Sequence, residues 1–336
     1  MNNKVSVIIP TYGGGDKLSR AIESVINQSY SEIEIIIVDD NPPYSEERIL
    51  TSNVVSKYNY DFIKYIKHSK NKNGAAARNT GLKFAEGSFI CFLDDDDFLF
   101  PDRIKKSVEI LNKNQEYGAL YCSVILADKN GIYNVVRADK IISSKDILLD
   151  EGIIGTGSNI FIRRNIIKYL EGFDESFSRH QDLEFLLRVC KYTNILNLND
   201  VLIVKSTNQT NNIPNYNKFK EVKNKYFEKF KTEIDKLNSQ EYIFFYEYHY
   251  LKLLNVALKT NNKDYIKEAL TDLSKIRKVK TIEKLKVFLM QNSIYCNIFF
   301  SIKKYLSKIK RLKLKSNYIN KKILTEELIS FAEKTL

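Results

Sequence analysis

Through the first two-thirds of the chain, short apolar runs rich in β-branched residues alternate with segments of helical periodicity. Residues 5–9 (Val-Ser-Val-Ile-Ile) read as a buried strand. Behind Gly13, Gly14 and Gly15, Asp16 is placed to cap a helix whose apolar positions Leu18, Ala21, Ile22, Val25 and Ile26 repeat at helical spacing. Residues 33–38 predict a second strand ending at Asp39 and Asp40. Residues 62–66 predict a third, ahead of a helix that begins Gly74, Ala75, Ala76, Ala77, Arg78. A fourth strand over residues 88–93 runs into Asp94, Asp95, Asp96 and Asp97, and Pro101 is set to open the next helix. This alternation predicts an α/β fold with a mainly parallel sheet.

Near Ala119 the pattern changes. Residues 121–127 and 133–137, joined through Asp128, Lys129, Asn130 and Gly131, predict a hairpin with an Asn-Gly turn. Residues 158–163 predict another strand. Residues 178–191 predict a helix, opened by a capping box of Ser178 with Gln181 three residues on. Beyond a polar stretch at 206–217 the chain reads as almost wholly helical, without an internal repeat. The expected organisation is an α/β domain over residues 1–210 and an α-helical domain over residues 211–336.

Composition narrows the function classes. The 336 residues are 43% hydrophobic and 28% charged, a globular balance with length for two domains. The four cysteines lie far apart with no C-x-x-C pair, and the three histidines are scattered. A zinc knuckle, a disulfide scaffold and an imidazole metal cluster are thereby excluded. No apolar run approaches the ~20 residues that span a bilayer, and the polar start ahead of Val5 is too short for a signal-peptide core. A cytoplasmic protein is expected. The net charge of +12 is unevenly placed. Residues 1–210 hold 26 Lys and Arg against 28 Asp and Glu, and residues 211–336 hold 27 against 13, net +14. All the basic excess sits in the helical third, which points to different partners for the two parts.

The glycines at 13–15 do not make a dinucleotide fingerprint, because Leu18 stands where its third glycine would fall. Nor is there a G-K-[ST] phosphate loop, so they read as a loop before a helix. The four aspartates are harder to explain by stability, since like charges at that density repel. They fall at the carboxyl edge of a parallel sheet, where open α/β folds bind ligands. In an extended segment Asp94 and Asp96 share a face, with Asp95 opposite. Two hard carboxylates on one side suit Mg²⁺ or Mn²⁺, which would in turn hold a diphosphate. A solvated acidic loop is the plain alternative.

Four segments occur in a fixed order: Val5-Ser-Val-Ile-Ile-Pro-Thr-Tyr12, Val38-Asp39-Asp40, Asn73-Gly-Ala-Ala-Ala-Arg-Asn-Thr-Gly81 and Phe92-Leu-Asp-Asp-Asp-Asp97. Together they resemble the family 2 glycosyltransferases of the GT-A fold across about residues 4–205. The resemblance implies an inverting enzyme that uses a nucleotide-diphosphate sugar, usually a UDP-sugar. It implies that Pro10, Thr11 and Tyr12 line the nucleotide pocket, that Asp39 hydrogen-bonds the uracil and that Arg78 approaches the nucleotide. Within the family's Asp-x-Asp motif, Asp94 falls at the ribose position and Asp96 at the metal position. Asp95 replaces a small polar residue and stays open as a nucleotide-sugar ligand. The run from Phe173 to Arg188 resembles the region of the family's Glu-Asp motif, which makes Asp182 the catalytic base and puts Gln181 in place of the glutamate. In the first turn of a helix such a carboxylate is favoured in its ionised form by the helix dipole. His180 is expected to line the site. The loop of Gly155, Thr156, Gly157, Ser158 and Asn159 would border the donor sugar and acceptor, and Lys205 would lie near the diphosphate.

The chain has no tryptophan, so it lacks the Gln-x-x-Arg-Trp motif of processive family members, and a single-addition enzyme of bacterial surface-glycan synthesis is expected. Its partners would be a UDP-sugar and a glycan or lipid-linked glycan acceptor, with no nucleic acid. A phosphatase reading of Asp94-x-Asp96 lacks the Thr or Val that should follow the second aspartate. A basic RNA- or anionic-lipid-binding protein with an inactive nucleotide-sugar fold is the alternative from another class, and it leaves the acidic cluster unexplained. In the last third, the aromatic stretch at 242–254 reads as helix-packing core. Residues 287–302 carry no charge and are followed by seven basic residues from Lys303 to Lys315. That arrangement resembles an interfacial anchor at the inner face of the cytoplasmic membrane, and equally a solvated surface helix.

Overall fold

The computed structural model describes residues 3–150, 152–207, 214–291 and 326–335. The chain forms two compact units, one of Met1–Asn208 with Asn317–Leu336 and the other of Gln209–Ser316. The first contains the strands β1 (Val5–Thr11), β2 (Ile33–Asp39), β3 (Ile63–Lys67), β4 (Phe89–Phe92), β5 (Phe98–Leu99), β6 (Ala119–Asp128), β7 (Gly131–Val136), β8 (Phe161–Arg163) and β9 (Ile195–Ser206). Its helices are α1 (Asp16–Ile26), α2 (Glu46–Val55), α3 (Gly74–Phe84), α4 (Arg103–Lys113), α5 (Ser144–Leu149), α6 (Arg164–Leu170) and α7 (Gln181–Val189). The second unit holds α8 (Tyr216–Lys229), α9 (Lys231–Ile234), α10 (Ser239–Thr260), α11 (Lys263–Ser274) and α12 (Thr281–Gln291). The final helix, α13 (Glu326–Thr335), belongs to the first unit.

One sheet runs in the order β3-β2-β1-β4-β8-β6-β9-β5, with β7 paired to β6. The β3-β2-β1-β4 half is parallel, as the alternating pattern predicts. Past β4 the sheet is mixed, with β8 antiparallel to both neighbours, β9 parallel to β6 and β5 antiparallel to β9. Val5, Val7, Ile8 and Ile9 are wholly buried, which is why β1 reads as an apolar run rather than an alternation. The predicted face of α1 (Leu18, Ala21, Ile22, Val25) is buried against the sheet. On the other side α3 lies so close to β1 that a Cβ on Gly81 would overlap the Ile8 side chain.

Several expectations are corrected at element ends. Gly15, with φ 77°, occupies the capping position of α1 in place of Asp16. Asp102, not Pro101, precedes the first residue of α4. The helix expected from Ser178 begins at Gln181, and His180 stands at its cap with a left-handed backbone (φ 58°) and no side-chain cap bond. The capping box does not form because Gln181 Nε2 donates to Phe177 O at 2.7 Å and its Oε1 accepts from Arg78. The strand expected from 158 begins at Phe161, after a 3₁₀ turn at Gly157–Asn159.

The helical unit packs around Tyr216, Phe219, Leu253, Leu254, Ala257 and Leu273. α10 opens with a reciprocal capping box of Asn238 and Glu241. Its aromatic stretch is core on one face only: Phe245, Leu253 and Leu254 are buried, whereas Tyr242, Ile243 and Phe244 are exposed. Among the described residues no helix is long and apolar enough to cross a membrane. The uncharged and basic runs expected at 287–315 lie, past Gln291, outside the described residues.

Candidate functional site

The carboxyl ends of β2, β1 and β4 lie side by side, and their polar residues knit three loops together. Asp39 is wholly buried. Its Oδ1 accepts from Asn41 N and Nδ2 at 2.9 and 2.8 Å, and its Oδ2 takes the Tyr65 hydroxyl with Arg48 Nε at 3.4 Å. Oδ1 thus carries two hydrogen bonds and Oδ2 one, the Arg48 contact being an ion pair, and a carboxylate oxygen in that state can take one further donor. Asp40 holds the loop ahead of α3: Oδ1 meets His68 Nδ1 at 2.7 Å and Lys72 N at 2.8 Å, and Oδ2 accepts from Asn73 N at 2.9 Å. Asn73 in turn caps α3 by accepting from Ala75 N and Ala76 N. Its backbone (φ 89°, ψ 167°) lies in a region that glycine alone enters freely.

The four aspartates do not alternate along a strand. Asp97 N donates to Asp94 O at 3.1 Å, closing a turn, and each carboxylate then goes to a different segment. Asp94 pairs with Arg78 Nη2 at 2.5 Å. Asp95 Oδ2 accepts from Thr11 Oγ1 at 2.6 Å and Tyr12 N at 3.2 Å, tying the end of β1, and burial pushes its pKa up to about 6. Asp97 accepts from Thr156 Oγ1 at 2.7 Å, Ser158 Oγ at 2.6 Å and Ser206 N at 3.2 Å. Burial pushes it up to about 7. Asp97 is therefore the anchor that joins the acidic loop, the 156–159 turn and the end of β9, a role that the resemblance does not assign. Among the described residues, Asp96 is the one of the four whose carboxylate accepts no hydrogen bond from another residue. Burial, then Asp94, raise its pKa against the opposing pull of Lys17 and Lys205.

On the facing side, Arg78 reaches from α3 to both motifs, with Nη1 on Gln181 Oε1 at 3.2 Å and Nη2 on Asp94. Gln181 so supplies the acceptor that a glutamate would supply, without its charge. Asp182 follows in the first turn of α7. Gly157 marks where these groups meet: a Cβ built on it would lie 3.7 Å from Asp182 Cβ, 3.7 Å from Asp94 Oδ2 and 3.8 Å from Arg78 Nη2. Lys205, at the end of β9, faces the same cluster. Burial works against its charge, but Asp97, Asp94, Asp182 and Asp96 outweigh it and hold the ammonium above its ordinary pKa. Of the remaining expected residues, Pro10 is half-buried in β1, Thr11 is buried and Tyr12 is 63% exposed.

The profile of the glycosyl transferase family 2 matches residues 6–170, a span that contains all but the first residue of β1, the acidic loop and Gly157. The chain carries a family 2 glycosyltransferase domain. This domain is 28% identical over 219 residues to the Escherichia coli β-1,3-glucosyltransferase WfgD, covering 65% of this chain and 82% of that one. An uncharacterized glycosyltransferase of Rickettsia bellii is 29% identical over 210 residues, yet the match spans only 29% of its length. Among solved structures, Staphylococcus aureus TarS 1–349 in complex with UDP is similar with a TM-score of 0.57 and 18% identity, over 93% of this chain and 88% of that one. The Pyrobaculum calidifontis mannosyltransferase, in complex with GDP-Man and Mn²⁺, is similar with a TM-score of 0.53 and 15% identity, over the same 93% and 88%. These structures establish the GT-A fold, with the acidic loop at the carboxyl edge of the domain's sheet.

Whether the domain's residues fit a divalent ion can be judged from their bonds. Among the described residues no three His, Cys, Asp or Glu side chains converge on one point. A site complete in protein ligands is thus not built here. Asp96 fits the other mode, in which one or two carboxylates hold Mg²⁺ or Mn²⁺ whose remaining ligands are phosphate and water.

Proposed function

We propose that the domain is an inverting, metal-dependent, non-processive glycosyltransferase that moves a sugar from a UDP-sugar to an acceptor hydroxyl in bacterial surface-polysaccharide synthesis. The observation that carries this reading is the meeting of Asp94, Arg78 and Asp182 around Gly157, with Lys205 facing them. WfgD, named for UDP-Glc and a diphosphoundecaprenol-linked acceptor, supports the donor and a lipid-linked glycan acceptor. The UDP complex of TarS supports the nucleotide, and the Mn²⁺ complex of the mannosyltransferase supports the metal.

In this reading Pro10, Thr11 and Tyr12 line the nucleotide pocket and Asp94, steadied by Arg78, meets the ribose. Asp39, beside Asn41, hydrogen-bonds the uracil, and Asp95 acts one layer back by holding Thr11 and Tyr12. Asp182 accepts the acceptor proton while the hydroxyl oxygen attacks the anomeric carbon from the face opposite the diphosphate. The bond from the anomeric carbon to the diphosphate oxygen breaks with its electron pair, and the Lys205 ammonium meets the charge that develops there. A divalent ion held by Asp96 would supply Lewis-acid neutralisation of the same leaving group.

A screen of UDP-sugars for UDP release tests the reading. Asp182→Asn preserves shape but accepts no proton, so release should fall by ~10²–10⁴ while donor affinity is retained. Wild-type turnover in that variant refutes the base assignment, and full release in chelator refutes the metal. The net +14 of residues 211–336 supports peripheral attachment to an anionic membrane surface. Co-sedimentation with anionic vesicles at low salt is expected, and its absence refutes the attachment.

A further inference from the structure

A helix that follows the whole second unit in sequence closes the first. α13 buries Ala332 fully and Ile329 almost fully. Its Phe331 ring lies 4.9 Å from that of Phe100 and 6.1 Å from that of Phe98. Phe98 follows Asp97 directly, so these rings meet the chain one residue beyond the acidic loop.

The segment they meet is slight. β5 is two residues long and forms the edge of the sheet, and a ladder that short holds little by itself. Its register pairs, Phe98 with Val204 and Leu99 with Ile203, stop one residue short of Lys205. The same ladder thus sets the position of Asp97 on one strand and of Lys205 on the other. From the α1 side, Ser24 Oγ accepts from Leu99 N at 3.2 Å. A recess of about 190 Å³ bounded by Ser24, Asn27, Phe98, Leu99 and Phe331 stays open there. Phe98 and Leu99 are buried: α1 covers β5 on one side of this recess, and the Phe331 ring of α13 closes the other.

We infer that Phe331 is a positioning residue for the acidic loop: α13 holds β5 against β9, and this keeps Asp96 and Lys205 in mutual register for a nucleotide diphosphate and its divalent ion. The inference rests on the glycosyltransferase reading for what the loop binds, and on packing alone for how it is held.

The test uses the full chain with Phe331→Ala and Phe331→Leu. Hydrogen exchange is followed in peptides covering 94–100, and the Mn²⁺ concentration for half-maximal UDP release is measured alongside. Phe331→Ala should raise exchange in 94–100 by ~10-fold or more, with peptides of β1 to β3 unchanged. Its Mn²⁺ requirement should rise by ~10-fold, the scale of a small misplacement at a site, and Phe331→Leu should recover most of both. Unchanged exchange in 94–100 overturns the inference. So does a rise spread evenly over the unit with a lower melting temperature, the mark of a merely structural residue. A local rise with a wild-type Mn²⁺ requirement overturns it too. If exchange changes locally as expected but even the wild-type protein releases no UDP from any donor, the glycosyltransferase reading fails and the clamp on β5 stands.

Discussion

Replacing Gly157 with alanine should move stability and activity in opposite directions. Gly157 is buried and has no positive φ. The contacts awaiting its methyl, at 3.7 Å from Asp182 Cβ, 3.7 Å from Asp94 Oδ2 and 3.8 Å from Arg78 Nη2, are ordinary van der Waals distances. The folded protein therefore accepts the methyl without strain, while the unfolded chain loses freedom, worth ~0.4–1 kcal/mol of added stability. For a unit of roughly 200 residues that is ~1–4 °C in melting temperature. The methyl also stands where the groups assigned to ribose, nucleotide and acceptor meet. Against a bound sugar it acts as an extra methylene in a filled site, at a cost of ~1–3 kcal/mol. That corresponds to ~5–150-fold in kcat/KM. Thermal unfolding followed by circular dichroism and initial rates of UDP release give the two readings. A lower melting temperature would mean that the space is already filled. A higher one with full activity would mean that substrate does not pass Gly157, and the site assigned above would be wrong.

Three further outcomes are expected. Asn73→Ala loses the α3 cap, at ~1 kcal/mol, whereas Asn73→Gly loses the same bonds but relieves ~1–3 kcal/mol of backbone strain; urea unfolding should rank glycine above alanine, and the reverse order refutes the strain. Gly81→Ala drives a methyl into Ile8 and should lower the urea midpoint by an amount worth ~1–3 kcal/mol, partly recovered by adding Ile8→Val. In the helical unit, hydrogen bonds from Arg277 hold Glu247 and Glu283 below the usual carboxylate range. Because the folded pKa values are depressed, this stabilisation is complete above the unfolded value of ~4.3 and is lost as pH falls through the folded values. Unfolding scans should show acid sensitivity below about pH 4.3, weakened in Glu283→Gln, and an unaltered profile in that variant refutes the assignment.

Strands whose neighbours bury them on both faces were legible, since continuous β-branched runs such as those of β1 and β2 have few other uses. β9 was hidden. Asn197, Asn199 and Asp200 interrupt its apolar pattern where the pairing with β6 shifts register around Ser123, so its twelve residues do not read as one strand. The acidic loop was legible as a site but not in its inner division of labour. Arg78, Thr11, Thr156 and Ser158, which take the carboxylates apart, come from three distant segments. Motif position proposes Asp39 for a base, but nothing in the pattern names Asn41, Tyr65 and Arg48 as the partners that hold its carboxylate in place. Ser178 with Gln181 has the spacing of a capping box, but spacing cannot register that Arg78 competes for the same amide. Nothing in the pattern of residues 326–335 names the surface that they cover.

That returning helix has a consequence for how the protein is made. Roughly 120 residues separate the end of β9 from the start of α13, and at ~5–20 residues per second a ribosome needs ~6–24 s to bridge them. Throughout that interval every strand of the sheet is already available, while the ring faces of Phe98 and Phe100 that Phe331 will meet are still bare. The domain next to the acidic loop is thus the last part to be completed, although its strands are among the first to emerge. Apolar surface left open on a nascent sheet edge invites capture by chaperones or by other chains. A fragment cut at residue 210, or at 285, keeps that surface open for good, and in this respect it is a nascent chain arrested before release.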